Sequence, residues 1–236
     1  MIIQSDEGHI LTHLGLGDQI SCNGLVRELY KRHSKLYVYC KLKYFYSIEF
    51  MYRDLENLTV LPMEETGAHN FVSHHNIKNF YHMGYDPRIH GSNGLTVEQT
   101  FYQQAGVDFS KKWESFKIMR DSDREDRMFK AFNLTPGEYI FFHDDIPRGQ
   151  IINQELVKNK GLPVFRALPE HTNNIFDFLK IIEFAREAHT IESCFMFMVD
   201  LVFQNTFPNL IGIHRYTKPI QPFEYPTNKL NWKIYV

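Results

Sequence analysis

The chain has 236 residues, a formal net charge of −2, 43% hydrophobic residues and 23% charged ones. That balance excludes a disordered polyelectrolyte and gives no electrostatic basis for non-specific nucleic-acid binding. Cys22, Cys40 and Cys194 sit in apolar segments at no zinc-finger spacing, and read as buried, reduced thiols. No basic leader with an apolar run opens the sequence. The most apolar stretch, 194–203, is too short for a bilayer and contains Asp200, so a soluble, cytoplasmic protein is expected.

Residues 9–14 form a β-type run, and Gly15-Leu16-Gly17-Asp18 is a tight turn after it. Residues 19–32 follow with helical apolar spacing, then a strand at 35–40, a helix at 44–52 and a strand at 58–61 that stops at Pro62. Strands alternating with helices imply a parallel sheet with right-handed crossovers. The Gly15-x-Gly17 turn lacks two parts of a dinucleotide fingerprint. Ile20 stands where the third glycine belongs, and Tyr39-Cys40-Lys41 closes the second strand without an acid. No nicotinamide or flavin cofactor is expected.

Residues 64–94 read as loop, and their histidines (69, 74, 75, 82, 90) as solvated, with no metal expected. A helix at 95–104 and a short packed segment at 113–119 follow. Asp121-Ser122-Asp123 opens a charged run rather than closing an apolar strand, which suits a helix cap at the start of a helix ending near Phe132. A second β/α pattern begins with a strand at 138–142, followed by His143-Asp144-Asp145 and Arg148. It continues with a strand at 163–168 and an amphipathic helix at 174–186. The strand His189-Thr190-Ile191 breaks into an apolar helix at Glu192-Ser193-Cys194, and a last strand at 210–214 ends beside Arg215 and Lys218.

The expected fold is α/β: two Rossmann-like units facing each other across a cleft. They divide as residues 1–125, residues 126–220, and a tail at 221–236 that packs back across the molecule. Ligands of such sheets sit beyond the carboxyl ends of the strands. There the sequence delivers Gly15, Gly17, Asp18, His143, Asp144, Asp145, Arg148, Glu192, Ser193, Arg215 and Lys218. Guanidinium and ammonium groups with a helix N-terminus suit an anion, and a carboxylate suits a general base.

The Gly15-Leu16-Gly17-Asp18-Gln19-Ile20 turn, with Arg27 in the helix after it, resembles the N-terminal turn of heptosyltransferase-like glycosyltransferases. The run Phe176-Asp177-x-Leu179, Ala185, His189-Thr190-Ile191-Glu192-Ser193-x-Phe195 and Asp200 resembles the donor segment of GT-B glycosyltransferases, fucosyltransferase-like ones included. Phe141-Phe142-His143-Asp144-Asp145 with Arg148 is similar to their His-x-Arg strand end.

The resemblance implies a short-form GT-B enzyme moving a hexosyl or deoxyhexosyl group from a nucleotide-diphosphate sugar to a hydroxyl of a glycan or glycoconjugate. Transfer would invert configuration without a metal. Asp18 or Asp144 would act as base, and Gly15, Gly17, His143, Arg148, Glu192, Ser193, Cys194 and Lys218 would hold the donor. Two alternatives stay open: a non-catalytic nucleotide- or glycan-binding module, and a metal-dependent GT-A transferase using Asp121 and Asp123. The sequence does not decide between a monomer and a homo-oligomer.

Overall fold

The computed structural model describes residues 6–12, 15–84, 95–204, 207, 209–215 and 229–235. The chain divides into two units, Met1–Met119 and Arg120–Val236. A boundary at 125 would have cut the helix Ser122–Ala131, which belongs to the second unit: its Arg124 pairs with Asp177 there at 2.8 Å.

The first unit alternates strands β1 (Glu7–Leu11), β2 (Lys35–Cys40), β3 (Leu58–Pro62) and β4 (Phe80–His82) with helices α1 (Leu16–Ser21), α2 (Asn23–Tyr30), α3 (Phe45–Tyr52) and α4 (Glu65–His74). The sheet is parallel, in the order β3-β2-β1-β4. The expected helix 19–32 is two helices, because Cys22 (φ −84°, ψ 3°) leaves helical geometry between them. Within α2, Gly24 touches backbone: a Cβ there would meet the Lys111 carbonyl oxygen at 1.9 Å, so α2 and α6 (Lys111–Glu114) pack at glycine distance.

The largest departure from expectation is α4 and β4, in a stretch read as loop. Polar residues mask a helix that buries only Ala68 and Val72, and three-residue β4 is too short to show a period of its own. Its pairing with β1 creates it. Helix α5 (Val97–Gln104) starts with a capping box between Thr96 and Gln99.

Arg27 anchors this unit. It is 7% exposed, donates to Asp54 through two nitrogens (2.8 and 3.1 Å) and to the carbonyls of Met51 and Lys117. Burial raises the Asp54 carboxyl, but Arg27 and Lys117 together outweigh it and hold it at about 2.

The second unit carries α7 (Ser122–Ala131), β5 (Ile140–His143), β6 (Val164–Arg166), α8 (Leu179–Phe184), β7 (Glu187–Ile191), α9 (Cys194–Phe203), β8 (Leu210–His214) and β9 (Lys233–Tyr235). This sheet too is parallel, in the order β6-β5-β7-β8-β9. Residues 174–186 are expected as one helix, but the first turn, Ile175–Phe178, is 3-10 and only Leu179–Phe184 is α.

All five residues of β7 are buried, which puts Glu187, His189 and Thr190 in the core. Glu187 and His189 are tolerated there because they are paired. His189 reaches Glu187 at 2.9 Å and His214 at 3.1 Å, while Glu187 accepts the Asn159 backbone N–H at 2.8 Å. Gly212 makes room for this chain of rings: a Cβ there would lie 2.3 Å from His189 Nδ1 and 2.7 Å from Tyr235 Cε2.

The end of the chain joins this sheet. Asp200, 1% exposed on α9, accepts the backbone N–H groups of Lys229 and Leu230 and the Trp232 indole N–H, each at 3.1 Å. Residues 229–235 therefore dock within the second unit, and β9 forms the sheet's edge beside β8. Among the described residues, no helix is long and apolar enough to cross a membrane.

Candidate functional site

The two strand orders locate the crevices. In the second unit the chain leaves β5 for β6 on one side and returns past it to β7 on the other, so the switch point lies between β5 and β7. In open α/β sheets a ligand takes its place at such a point, beyond the carboxyl ends of the strands. The residues at those ends are His143 and Asp144 on one side, and Glu192 and Ser193 on the other.

Ser193 is the N-cap of α9: its backbone is extended and its Oγ accepts the Phe195 N–H at 3.3 Å. The same oxygen lies 3.0 Å from His143 Nδ1. The His143 ring stacks on Phe195 at 4.0 Å. Burial, against a weaker pull from Asp145, lowers its pKa to about 4, so it is neutral at pH 7. The Ser193 oxygen has two lone pairs, so beside accepting from Phe195 it shares a hydrogen bond with Nδ1 whose direction follows the His143 tautomer. A neutral imidazole, a hydroxyl and the start of a ten-residue helix thus meet at the ends of β5 and β7, an arrangement that suits an anion.

The neighbours are less uniform. The Glu192 carboxylate faces Arg215 across the ends of β7 and β8 at 3.3 Å, both side chains about one-seventh exposed. The Cys194 thiol is pushed up to about 12 by burial, so it is no nucleophile at neutral pH and can offer only its backbone. Arg148 lies on the turn after β5, 77% exposed and 3.0 Å from Asp145. Such an exposed i,i+3 pair is worth under about 1 kcal/mol, so a phosphate could displace it. Lys218 lies outside the described residues.

One Asp144 oxygen accepts the Ile152 N–H at 2.7 Å, the other meets the Arg166 guanidinium, and the side chain is 3% exposed. Both oxygens thus hold the 150s loop to β6, which gives Asp144 a structural role that the sequence did not show. Arg166, its partner, carried no sequence signal.

In the first unit the order β3-β2-β1-β4 sets the switch point between β1 and β4, and the Gly15 turn follows β1. The tight glycine turn is in fact a helix start. Gly15 is an extended N-cap (φ −75°, ψ 143°), and Gly17 already lies inside α1. The close neighbour of Gly15 is a side chain: a Cβ there would come within 2.5 Å of Asp18 Oδ2. The Asp18 carboxylate therefore folds back over the turn. Gln19 secures α1 by donating to the Tyr39 carbonyl at 3.0 Å.

Asp121 caps α7, its side chain accepting the Arg124 N–H at 3.0 Å, with Asp123 in the first turn. This is the cap the sequence suggested, and it removes the GT-A alternative, which needs the pair at a strand end.

Two parallel Rossmann-like sheets in one chain are the ingredients of the GT-B fold of glycosyltransferases, and solved structures bear out that assignment. The chain is similar to a glycosyl transferase family 9 protein from Veillonella parvula (12% identity, TM-score 0.60, covering 100% of this chain and 87% of that one). It is also similar to ADP-heptose lipopolysaccharide heptosyltransferase II of E. coli (9% identity, TM-score 0.56, 97% and 90% covered). At such identities the likeness is one of fold. No family model matches the sequence, and no curated protein matches it.

Proposed function

We propose that this protein is a glycosyltransferase that moves a hexosyl or deoxyhexosyl group from a nucleotide-diphosphate sugar to a hydroxyl of a glycan or glycoconjugate. The observation that carries the reading is the β5/β7 switch point, where the capped start of α9 meets neutral His143. The fold likeness supports it.

In this reading the Ser193 hydroxyl and the first turn of α9 donate to the diphosphate, His143 orients that hydroxyl by donating to it from Nδ1, and Arg148 and Lys218 neutralise the outer charge. Asp18 takes the acceptor's proton as that oxygen attacks the anomeric carbon. The bond to the diphosphate breaks on the opposite face, so configuration inverts, and the leaving group departs as the anion that these donors stabilise. Cationic and N–H groups fill the role a metal plays elsewhere, so transfer is metal-independent. Asp144, whose oxygens meet the Ile152 N–H and the Arg166 guanidinium, is the second candidate for that role.

The test is calorimetry against ADP, UDP, GDP, CDP and dTDP and their sugars, with Asp18→Asn beside the wild type. A transferase loses turnover in that variant and keeps nucleotide affinity. A binding module turns over no donor in either form, and a protein that binds none of these nucleotides sinks the reading altogether.

A further inference from the structure

The segment expected to carry solvated histidines brings two of them together with a carboxylate. Glu65 and His69 are four residues apart on α4, so both side chains lie on one face, and His82 is the last residue of β4. The three ligand atoms all lie within 4.8 Å of one another. His82 Nε2 is 3.8 Å from a Glu65 oxygen, and the two imidazoles meet edge to face at 4.7 Å and 83°.

Phe80 holds both rings: His69 packs edge-on against it at 5.6 Å, and His82 stacks over it at 6.0 Å and 12°. The space beside His82 is kept clear by Gly84, where a Cβ would stand 3.3 Å from Nε2. A bare His82–Glu65 ion pair accounts for two of these groups. It gives no reason for a second imidazole to converge on the same point, since two neutral imidazoles add a further lone pair rather than a positive charge.

We propose that Glu65, His69 and His82 bind a divalent transition-metal ion, zinc in the first instance, with water in the fourth position. Two imidazoles and a carboxylate are the donor set of open zinc sites. Tetrahedral zinc at ~2.1 Å from each ligand needs neighbouring ligand atoms roughly 3.3 Å apart. Small side-chain rotations close the remaining gap, since Glu65 and His82 are exposed. The ion would join α4 to the carboxyl end of β4, at the switch point of the first sheet. The site lies wholly within the first unit and uses none of the groups assigned to the donor.

Tag-free protein, stripped with chelator, is titrated with Zn2+ by calorimetry and with Co2+ by visible absorption. One equivalent should bind, with the d–d bands of tetrahedral cobalt, and zinc should raise the melting temperature. His69→Ala and His82→Ala should each weaken binding by roughly 100-fold or more. His74→Ala, an exposed histidine on the same helix, should leave it unchanged. No cobalt spectrum, or full affinity in both His69→Ala and His82→Ala, overturns the proposal. Nucleotide calorimetry on the same variants reads the donor site separately.

Discussion

Ser193 does two jobs in the proposed donor site, and two substitutions separate them. As N-cap it satisfies the Phe195 N–H, and as a hydroxyl beside His143 it faces the diphosphate. Replacing an N-cap serine by alanine costs about 1 kcal/mol, whereas glycine costs a few tenths. Ser193→Ala should therefore lower the melting temperature of the second unit by roughly 4 °C, and Ser193→Gly by much less. Both lose the hydroxyl. A hydrogen bond to a charged group is worth about 1.5–3 kcal/mol, so both should weaken nucleoside-diphosphate binding roughly 10- to 100-fold. Scanning fluorimetry and calorimetry on the same samples make the comparison. If both variants bind the nucleotide like wild type while the alanine form still melts early, Ser193 is a cap and nothing more.

Gly212→Ala forces a Cβ into His189 and Tyr235, rings with little room to move. It should cost about 3 kcal/mol or prevent folding, and a urea midpoint unchanged from wild type would refute the packing argument. Asp200→Ala strands three donors of the tail, for a loss of about 3 kcal/mol. Limited proteolysis should then cut near residues 229–232, and resistance there would count against the anchor. Asp144→Asn should cost about 1–3 kcal/mol while kcat stays within a few-fold, whereas Asp18→Asn should lower kcat by roughly 100-fold or more. The reverse pattern would make Asp144 the base.

Acid provides a further test. His143 and His214 are held at about 4 against an ordinary 6.5, His143 by burial and His214 by burial and the neighbouring His189. The unfolded chain takes up protons there that the native state refuses. Stability is complete above about pH 6.5 and falls as the pH drops toward 4, at up to about 1.4 kcal/mol per pH unit for each group. Urea melts at about pH 7.5 and about pH 5 should differ accordingly, and equal midpoints would refute the assignment.

The strands Lys35–Cys40 and Leu210–His214, the Ser193 helix start and the Asp121 cap could all be read along the chain. Each depends on an apolar run or on a cap within a few residues, and such signals are local. What pairing decides was not legible. β4 and β9 have three residues each and exist because β1 and β8 offer open edges. Asp144 looked like Asp18, a carboxylate after a strand, until Arg166, 22 residues away, took one of its oxygens. Glu65, His69 and His82 looked like unrelated polar residues because α4 and β4 must both form before their side chains meet. The sequence alone determined that this is a β/α protein with charged and hydroxyl side chains at its strand ends. Tertiary structure decided which of those groups remain available, because charge and hydrogen-bonding capacity are consumed by whichever neighbours the fold brings within about 3 Å.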